Sequence, residues 1–404
     1  MGLEAITTLR LLHVERRASA KACPTLRRAR VAQTCLEVII KWPEFKPISE
    51  LANSLALIGG GGHKDVMATD FFSNRILISL LAFIAAFGKA AAADNPFLGS
   101  WELTLPGGAA GWLGVEEVNG QLQSSMMWAV GSVEPTASTK IANGQLVLTR
   151  DHVVQHKDAN GKTVKATLKE TITATVAGDQ IKLSSTQPRE KGPGEEKVDF
   201  SGKRSPPMPP APDLHQVKFG EAIQLFNGKD LTGWRLTDPQ AINGWSANDQ
   251  MLVNIVVQEE GKPHKNYGNL RTDQEFEDFN LKLEVRLAPH ENSGIYLRGI
   301  HEVQVEDSYG QPPTSHNMGA IYTRVKPTVN ASKPAGQWQT FDITFVDRHV
   351  TVILNGTRII DNQPVAGCTG GALWSDVTRP GPIYLQGDHT GIEYRNLVLR
   401  PVLK

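Results

Sequence analysis

The sequence predicts an all-β, antiparallel protein, and three observations carry that prediction. Between Leu281 and Asp307 three consecutive segments alternate with period two: Leu281, Leu283, Val285 and Leu287 against Lys282, Glu284 and Arg286; Ile295 and Leu297 against Tyr296 and Arg298; Val303 and Val305 against Glu302, Gln304 and Glu306. Successive side chains on a strand point to opposite faces, so each segment has one apolar face and one face of large polar groups. Short apolar alternations elsewhere are punctuated by turn dipeptides, among them Asn119-Gly120, Asn143-Gly144, Asn160-Gly161 and Gly178-Asp179. The 24 prolines and 37 glycines, spaced between these runs, fit the same architecture.

The chain of 404 residues is long enough for two or three domains with real cores. Its 42 Lys and Arg residues balance its 42 Asp and Glu residues, so a nucleic-acid or polyanion partner has no electrostatic support from composition. Taken in order, residues 1–66 form a doubtful leader, Arg-rich, without a clear period, and ending in Gly59-Gly60-Gly61-Gly62. Residues 67–93 have the layout of a secretory signal peptide: Arg75, an uncharged apolar run from Ile76 to Phe87, and Ala91-Ala92-Ala93 before Asp94. The run is too short to span a bilayer comfortably, and the alternative is a buried helix. The expectation is a start at Met67 and a secreted or periplasmic mature protein with no membrane anchor. Cys23 and Cys35 both precede Asp94, so Cys368 alone remains in that mature chain and no intramolecular disulfide can form there.

Residues 94–204 carry many short β-like runs, from Ser100–Leu105 to Lys197–Ser201, and predict a small antiparallel barrel or sandwich. Gly99-Ser100-Trp101 resembles the opening strand of lipocalin-like barrels. Trp101, Trp112 and Trp128 suit core packing better than a ligand cavity, and no catalytic constellation is present. Residues 205–215 include Ser205-Pro206-Pro207-Met208-Pro209-Pro210-Ala211-Pro212, a stretch that predicts an extended, semi-rigid spacer. In residues 216–404, Phe341–Phe345 and Val350–Leu354 alternate cleanly, Asn355-Gly356 is a favoured hairpin turn, and no helical stripe is convincing. The pattern predicts a two-sheet β-sandwich.

The motifs of this last region resemble, in order, those of the 3-keto-disaccharide hydrolase domain family, long carried as a domain of unknown function. They begin with Leu225-Phe226-Asn227-Gly228-Lys229-Asp230-Leu231-Thr232-Gly233-Trp234 and continue with Asn292-Ser293-Gly294-Ile295-Tyr296-Leu297-Arg298-Gly299, Glu302-Val303-Gln304-Val305-Glu306-Asp307 and Gly319-Ala320-Ile321-Tyr322. Pro334-Ala335-Gly336-Gln337-Trp338-Gln339, Pro382-Ile383-Tyr384-Leu385-Gln386-Gly387-Asp388-His389 and Tyr394-Arg395-Asn396 complete the series. The resemblance implies a concanavalin-like sandwich, with substrate on the concave sheet, and an enzyme acting on 3-keto-glycosides or 3-keto-disaccharides.

A ketone at C3 of a sugar acidifies the hydrogen at C2, so cleavage by elimination and hydration needs a base, an acid near the leaving oxygen, and donors for the enolate. A conventional glycosidase needs paired carboxylates. Glu302 is the leading candidate base, Asp307 a second acid/base or metal ligand, and His389 a proton-transfer group with a suitable intrinsic pKa. Tyr296, Arg298, Gln304 and Gln386 are expected to hold hydroxyls or the enolate, with Glu284 and Arg395 as further substrate contacts or halves of structural ion pairs. No motif of metal-ligand spacing occurs, although Glu302, Asp307 and His389 can in principle converge on one divalent ion. Two other functions remain open: a non-catalytic, lectin-like carbohydrate-binding module and a conventional glycoside hydrolase acting on unoxidised sugars. Oligomeric state has no signature in the sequence.

Overall fold

The computed structural model describes residues 95–157, 163–189, 193–259 and 261–403. The expected leader and signal segment and the Asn160-Gly161 turn lie outside the described residues. What is described is nearly all β, in three antiparallel sheets.

The first sheet runs through β1 (Gly99–Thr104), β2 (Ala110–Val118), β3 (Gln121–Trp128), β4 (Val133–Pro135), β5 (Ser138–Ala142), β6 (Gln145–Lys157), β7 (Thr163–Ala177), β8 (Gln180–Pro188) and β9 (Glu195–Arg204). Its order is β4-β3-β2-β1-β9-β8-β7-β6-β5. Only Thr136 and Ala137 separate β4 from β5; their amides donate to the carbonyls of Ser124 on β3 and Thr149 on β6. β4 and β5 therefore act as one bent stave that joins the two ends of the sheet into a barrel, which removes both edges. The turns at Asn119-Gly120 and Asn143-Gly144 have positive φ at both residues, the geometry that suits a two-residue hairpin.

The barrel interior is packed with Trp101, Leu103, Leu113, Leu146, Leu148 and Ile172. Burying a side chain of this kind contributes about 1.5–3 kcal/mol, so this packing is a substantial source of stability. Trp101 sits in that core beneath the Arg204 guanidinium at 4.1 Å, and Trp128 meets Phe200 edge-on with ring centroids 5.2 Å apart. Trp112 instead faces outward from the barrel, toward the second domain.

The second domain adds β10 (Ile223–Gln224), β11 (Trp234–Leu236), β12 (Trp245–Asn248), β13 (Met251–Asn254), β14 (Leu270–Thr272), β15 (Phe279–Arg286), β16 (Asn292–Leu297), β17 (His301–Glu306), β18 (Gln339–Val346), β19 (His349–Leu354), β20 (Thr357–Pro364), β21 (Tyr384–Leu385) and β22 (Ile392–Pro401). One sheet has the order β12-β13-β22-β15-β18-β19-β20, with β10 also on β22; the other is β11-β14-β21-β16-β17. Leu281, Leu283, Phe341 and Ile343 from the first sheet and Ile295, Val303, Val305 and Leu385 from the second share one core, making a sandwich.

The Pro-rich segment has no regular secondary structure, yet it is not a free spacer. Prolines cannot donate backbone hydrogen bonds but their carbonyls still accept. Arg348 donates to the carbonyls of Pro206, at 3.1 Å, and Pro207, and Asn362 Nδ2 donates to Pro212 at 2.9 Å. Barrel and sandwich also share a small core in which Ala110, Trp112 and Met127 pack with Ile300 and Cys368. Lys203 and Asp376 pair across the same boundary at 2.9 Å.

Candidate active site

The outward face of the five-stranded sheet carries the polar residues of β16, β17 and β21, and a cavity of about 230 Å3 opens on it. Tyr296 pairs with Glu302 across the β16–β17 ladder on one side and with Tyr384 on the other. Because the side-chain period is two, Glu302 and Gln304 share this face while Val303 and Val305 enter the core. Gln386, Asn292, Asp388 and His389 line the cavity as well.

Glu302 lies on the cavity floor, only 4% exposed. Its carboxyl rests over Gly294, where an added Cβ would come within 2.3 Å of Oε1. Burial pushes its pKa up to about 8, against which the Tyr296 hydrogen bond acts. The Tyr296 hydroxyl lies 3.0 Å from Glu302 Oε2 and 2.8 Å from the Gly370 carbonyl oxygen. A phenol has one proton, so protonated Glu302 can donate to Tyr296 while Tyr296 donates to Gly370. The Tyr296 ring stacks on Tyr384 at 4.0 Å, which fixes its orientation, and Asn269 Nδ2 donates to the Tyr384 hydroxyl at 3.2 Å.

Two amide oxygens, Gln304 Oε1 and Gln386 Oε1, are buried without a protein partner. Leaving such an acceptor unmade costs about 1–3 kcal/mol, so both are open to a hydrogen-bond donor that enters the cavity. His389, at the half-exposed edge of the cavity, has its pKa raised by the adjacent Asp388 carboxyl, whose Oδ1 lies 3.0 Å from Nδ1. The cavity thus combines a buried carboxyl, a more exposed imidazole and unpaired amide acceptors.

Four of the residues expected here are elsewhere. Arg298 does not share the face of Tyr296: β16 ends at Leu297 and Arg298 enters the hairpin turn at φ +55°. That turn breaks the alternation and sends the guanidinium to the carbonyls of Val377 and Arg379, each at 3.0 Å, with Phe345 beneath it. Glu284 and Arg395 belong to the other sheet, where β15 pairs with β22; they form an ion pair with each other, and Arg395 also covers Trp338. Asp307, just past β17, accepts from the His290 amide at 3.1 Å and does not line the cavity. The three-ligand set of Glu302, Asp307 and His389 does not assemble, and among the described residues no group of three or more His, Cys, Asp or Glu side chains is placed to hold a metal ion.

Several lining residues had no assigned role in the sequence reading. Asn292, Tyr322, Tyr384 and Asp388 lay within quoted motifs, and the alternation Tyr384-Leu385-Gln386 was the signal that would have placed Tyr384 beside Gln386. Gly370 and Gly371 supply carbonyls to Tyr296 and Tyr384. Val130, from the barrel, gave no signal at all.

Fold and cavity together define a β-sandwich with a recessed polar site of saccharide-binding character. Residues 221–400 match the model of the 3-keto-alpha-glucoside-1,2-lyase-like domain family, and this part of the chain is a domain of that family. It is a carbohydrate-active, glycoside-hydrolase-like enzyme domain. Among solved structures, a Parabacteroides distasonis ATCC 8503 protein provisionally named a glycosyl hydrolase is 31% identical, with 48% of this chain and 93% of that one covered and a TM-score of 0.36. Another structure from that organism, named in the same way, is 24% identical, with 45% of this chain and 100% of that one covered and a TM-score of 0.34. No curated protein matches the chain.

Proposed function

We propose that the sandwich domain cleaves the glycosidic bond of 3-keto-glycosides by elimination followed by hydration. Ionised Glu302 removes the C2 hydrogen that the C3 ketone acidifies. As the enolate collapses, the C1–O bond breaks and C1=C2 forms; the leaving oxygen takes a proton from His389. Water then adds across the double bond, so the net reaction is glycoside plus water to 3-keto sugar plus alcohol. Tyr296, aligned by Tyr384, is within reach of Glu302, and the Gln304 and Gln386 amides accept sugar hydroxyls.

The observation that supports this reading is the buried Glu302 carboxyl, its pKa pushed up to about 8 by burial, on the floor of a polar-lined cavity. A carboxylate of that basicity is much better matched to a carbon acid than an ordinary one. The test is incubation with 3-keto-trehalose and 3-keto-sucrose beside their parent disaccharides, in D2O. Turnover of the keto sugars alone, with deuterium at C2 of the product, is the expected result. Turnover of the parents alone would replace this reading with a conventional glycosidase, and turnover of neither with a lectin.

The same reading includes export. It rests on the signal-like residues 67–93, and N-terminal sequencing of the protein from the culture or periplasm tests it. A mature start at Asp94 is expected; one upstream of Met67 would overturn it.

A further inference from the structure

The cavity is not built by the sandwich alone. Val130, in the turn between β3 and β4 of the barrel, is one of its lining residues and is 82% exposed, whereas Glu302 is 4% exposed. Val130 therefore stands at the rim and Glu302 at the floor. The turn is tied to the sandwich at several points: the Gly371 amide donates to the Ala129 carbonyl at 3.0 Å, and the Val133 amide donates to Thr323 Oγ1 at 3.1 Å. Ser132 Oγ lies 3.4 Å from both the Tyr322 hydroxyl and His316 Nε2.

Gly370 and Gly371 fill the space between turn and floor. A Cβ on Gly370 would lie 2.5 Å from the Gly131 carbonyl oxygen and 2.8 Å from that of Val130; one on Gly371 would lie 2.6 Å from the Tyr296 hydroxyl. The barrel turn, the glycine pair and Tyr296 are thus packed in series down to Glu302.

We propose that the barrel turn Ala129–Ser132 is a specificity-determining part of the substrate site, receiving the portion of the glycoside that lies beyond the reacting ring. The inference rests on the function proposed above. The reacting carbons must reach Glu302 on the floor, so the aglycone projects past the rim, where Val130 offers an apolar contact and the Ser132 hydroxyl sits beside that of Tyr322, which lines the same opening. This apolar and aromatic pair suits the face of a second sugar ring.

The experiment uses the full chain with Val130→Trp and, as a smaller change, Ser132→Ala, assayed on methyl 3-keto-α-glucoside and on 3-keto-trehalose. Val130→Trp is expected to lower kcat/KM at least about tenfold on 3-keto-trehalose and less than roughly threefold on the methyl glycoside. Ser132→Ala is expected to give a loss of about threefold confined to the disaccharide. Equal losses on both substrates, or none, overturn the inference while leaving the function intact. If the wild type cleaves neither keto sugar, the proposed function fails, and calorimetric binding of methyl α-glucoside and trehalose decides the inference. Weakening by Val130→Trp selective for trehalose upholds the rim; equal weakening, no change or no binding overturns it.

Discussion

At the residue scale, the burial of Glu302 ties its protonation to the stability of the fold. Its carboxyl has a pKa of about 8 in the folded protein, against 4.5 for the exposed group. Between those two values the folded chain holds a proton that the unfolded chain has released, so stability falls as pH rises and levels off above about 8. The span corresponds to at most about 4–5 kcal/mol. Glu302→Gln is expected to lower kcat about 10²–10⁴-fold on a 3-keto-disaccharide. It is also expected to raise the melting temperature at pH 8.5 and leave it nearly unchanged at pH 4.5; paired thermal melts check this, and equal shifts at the two pH values would contradict the assignment. If ionised Glu302 is the base, wild-type kcat/KM rises about tenfold per pH unit below pH 8. A profile that instead falls through that region assigns Glu302 as the acid. Gly294→Ala should reproduce much of the activity loss without touching a titrating group, because a Cβ there collides with the Glu302 carboxyl.

At the scale of elements, strand periodicity was readable wherever a strand is regular. Glu302 and Gln304 were placed correctly on one face because β17 runs unbroken from His301 to Glu306. The same rule misplaced Arg298, since the end of β16 depends on a positive-φ turn that ordinary alternation does not reveal. Glu284 and Arg395 were legible as polar strand residues, but which sheet a strand joins is set by pairing partners far away in the chain, here β15 with β22. Their ion pair is partly exposed, with side chains 23% and 38% accessible, and such pairs contribute about 0–1 kcal/mol. Glu284→Gln should therefore change kcat/KM by less than about twofold and stability by no more than about 1 kcal/mol. A tenfold loss of activity would return this pair to the site.

At the scale of the whole molecule, the barrel and the sandwich are joined by a common core as well as by a chain segment. The Pro-rich composition of 205–215 predicts an extended, semi-rigid spacer, but not that Arg348 and Asn362 bind its carbonyls, because those partners lie well over a hundred residues away. Cys368 reports on this junction: burial pushes its thiol up to about 12, and it sits beside Ala110, Trp112 and Met127. A thiolate is the reactive form, so thiol reagents should label the native protein very slowly at pH 8. Labelling is expected to become fast only as both domains melt in a single calorimetric transition. Two separated transitions, with Cys368 reactive after the first, would mean that the domains unfold independently.

The tight seat of Gly367 against Trp112 carries one more consequence. A Cβ at that glycine would reach within 2.2 Å of the indole, so Gly367 cannot take a side chain without displacing Trp112. Recombination that exchanged this barrel for another β module would have to bring a matching surface for the 367–371 loop, the same loop whose carbonyls seat the two tyrosines. Such a graft therefore fits only if the loop and the barrel face that meets it are exchanged together, although they fold into separate sheets.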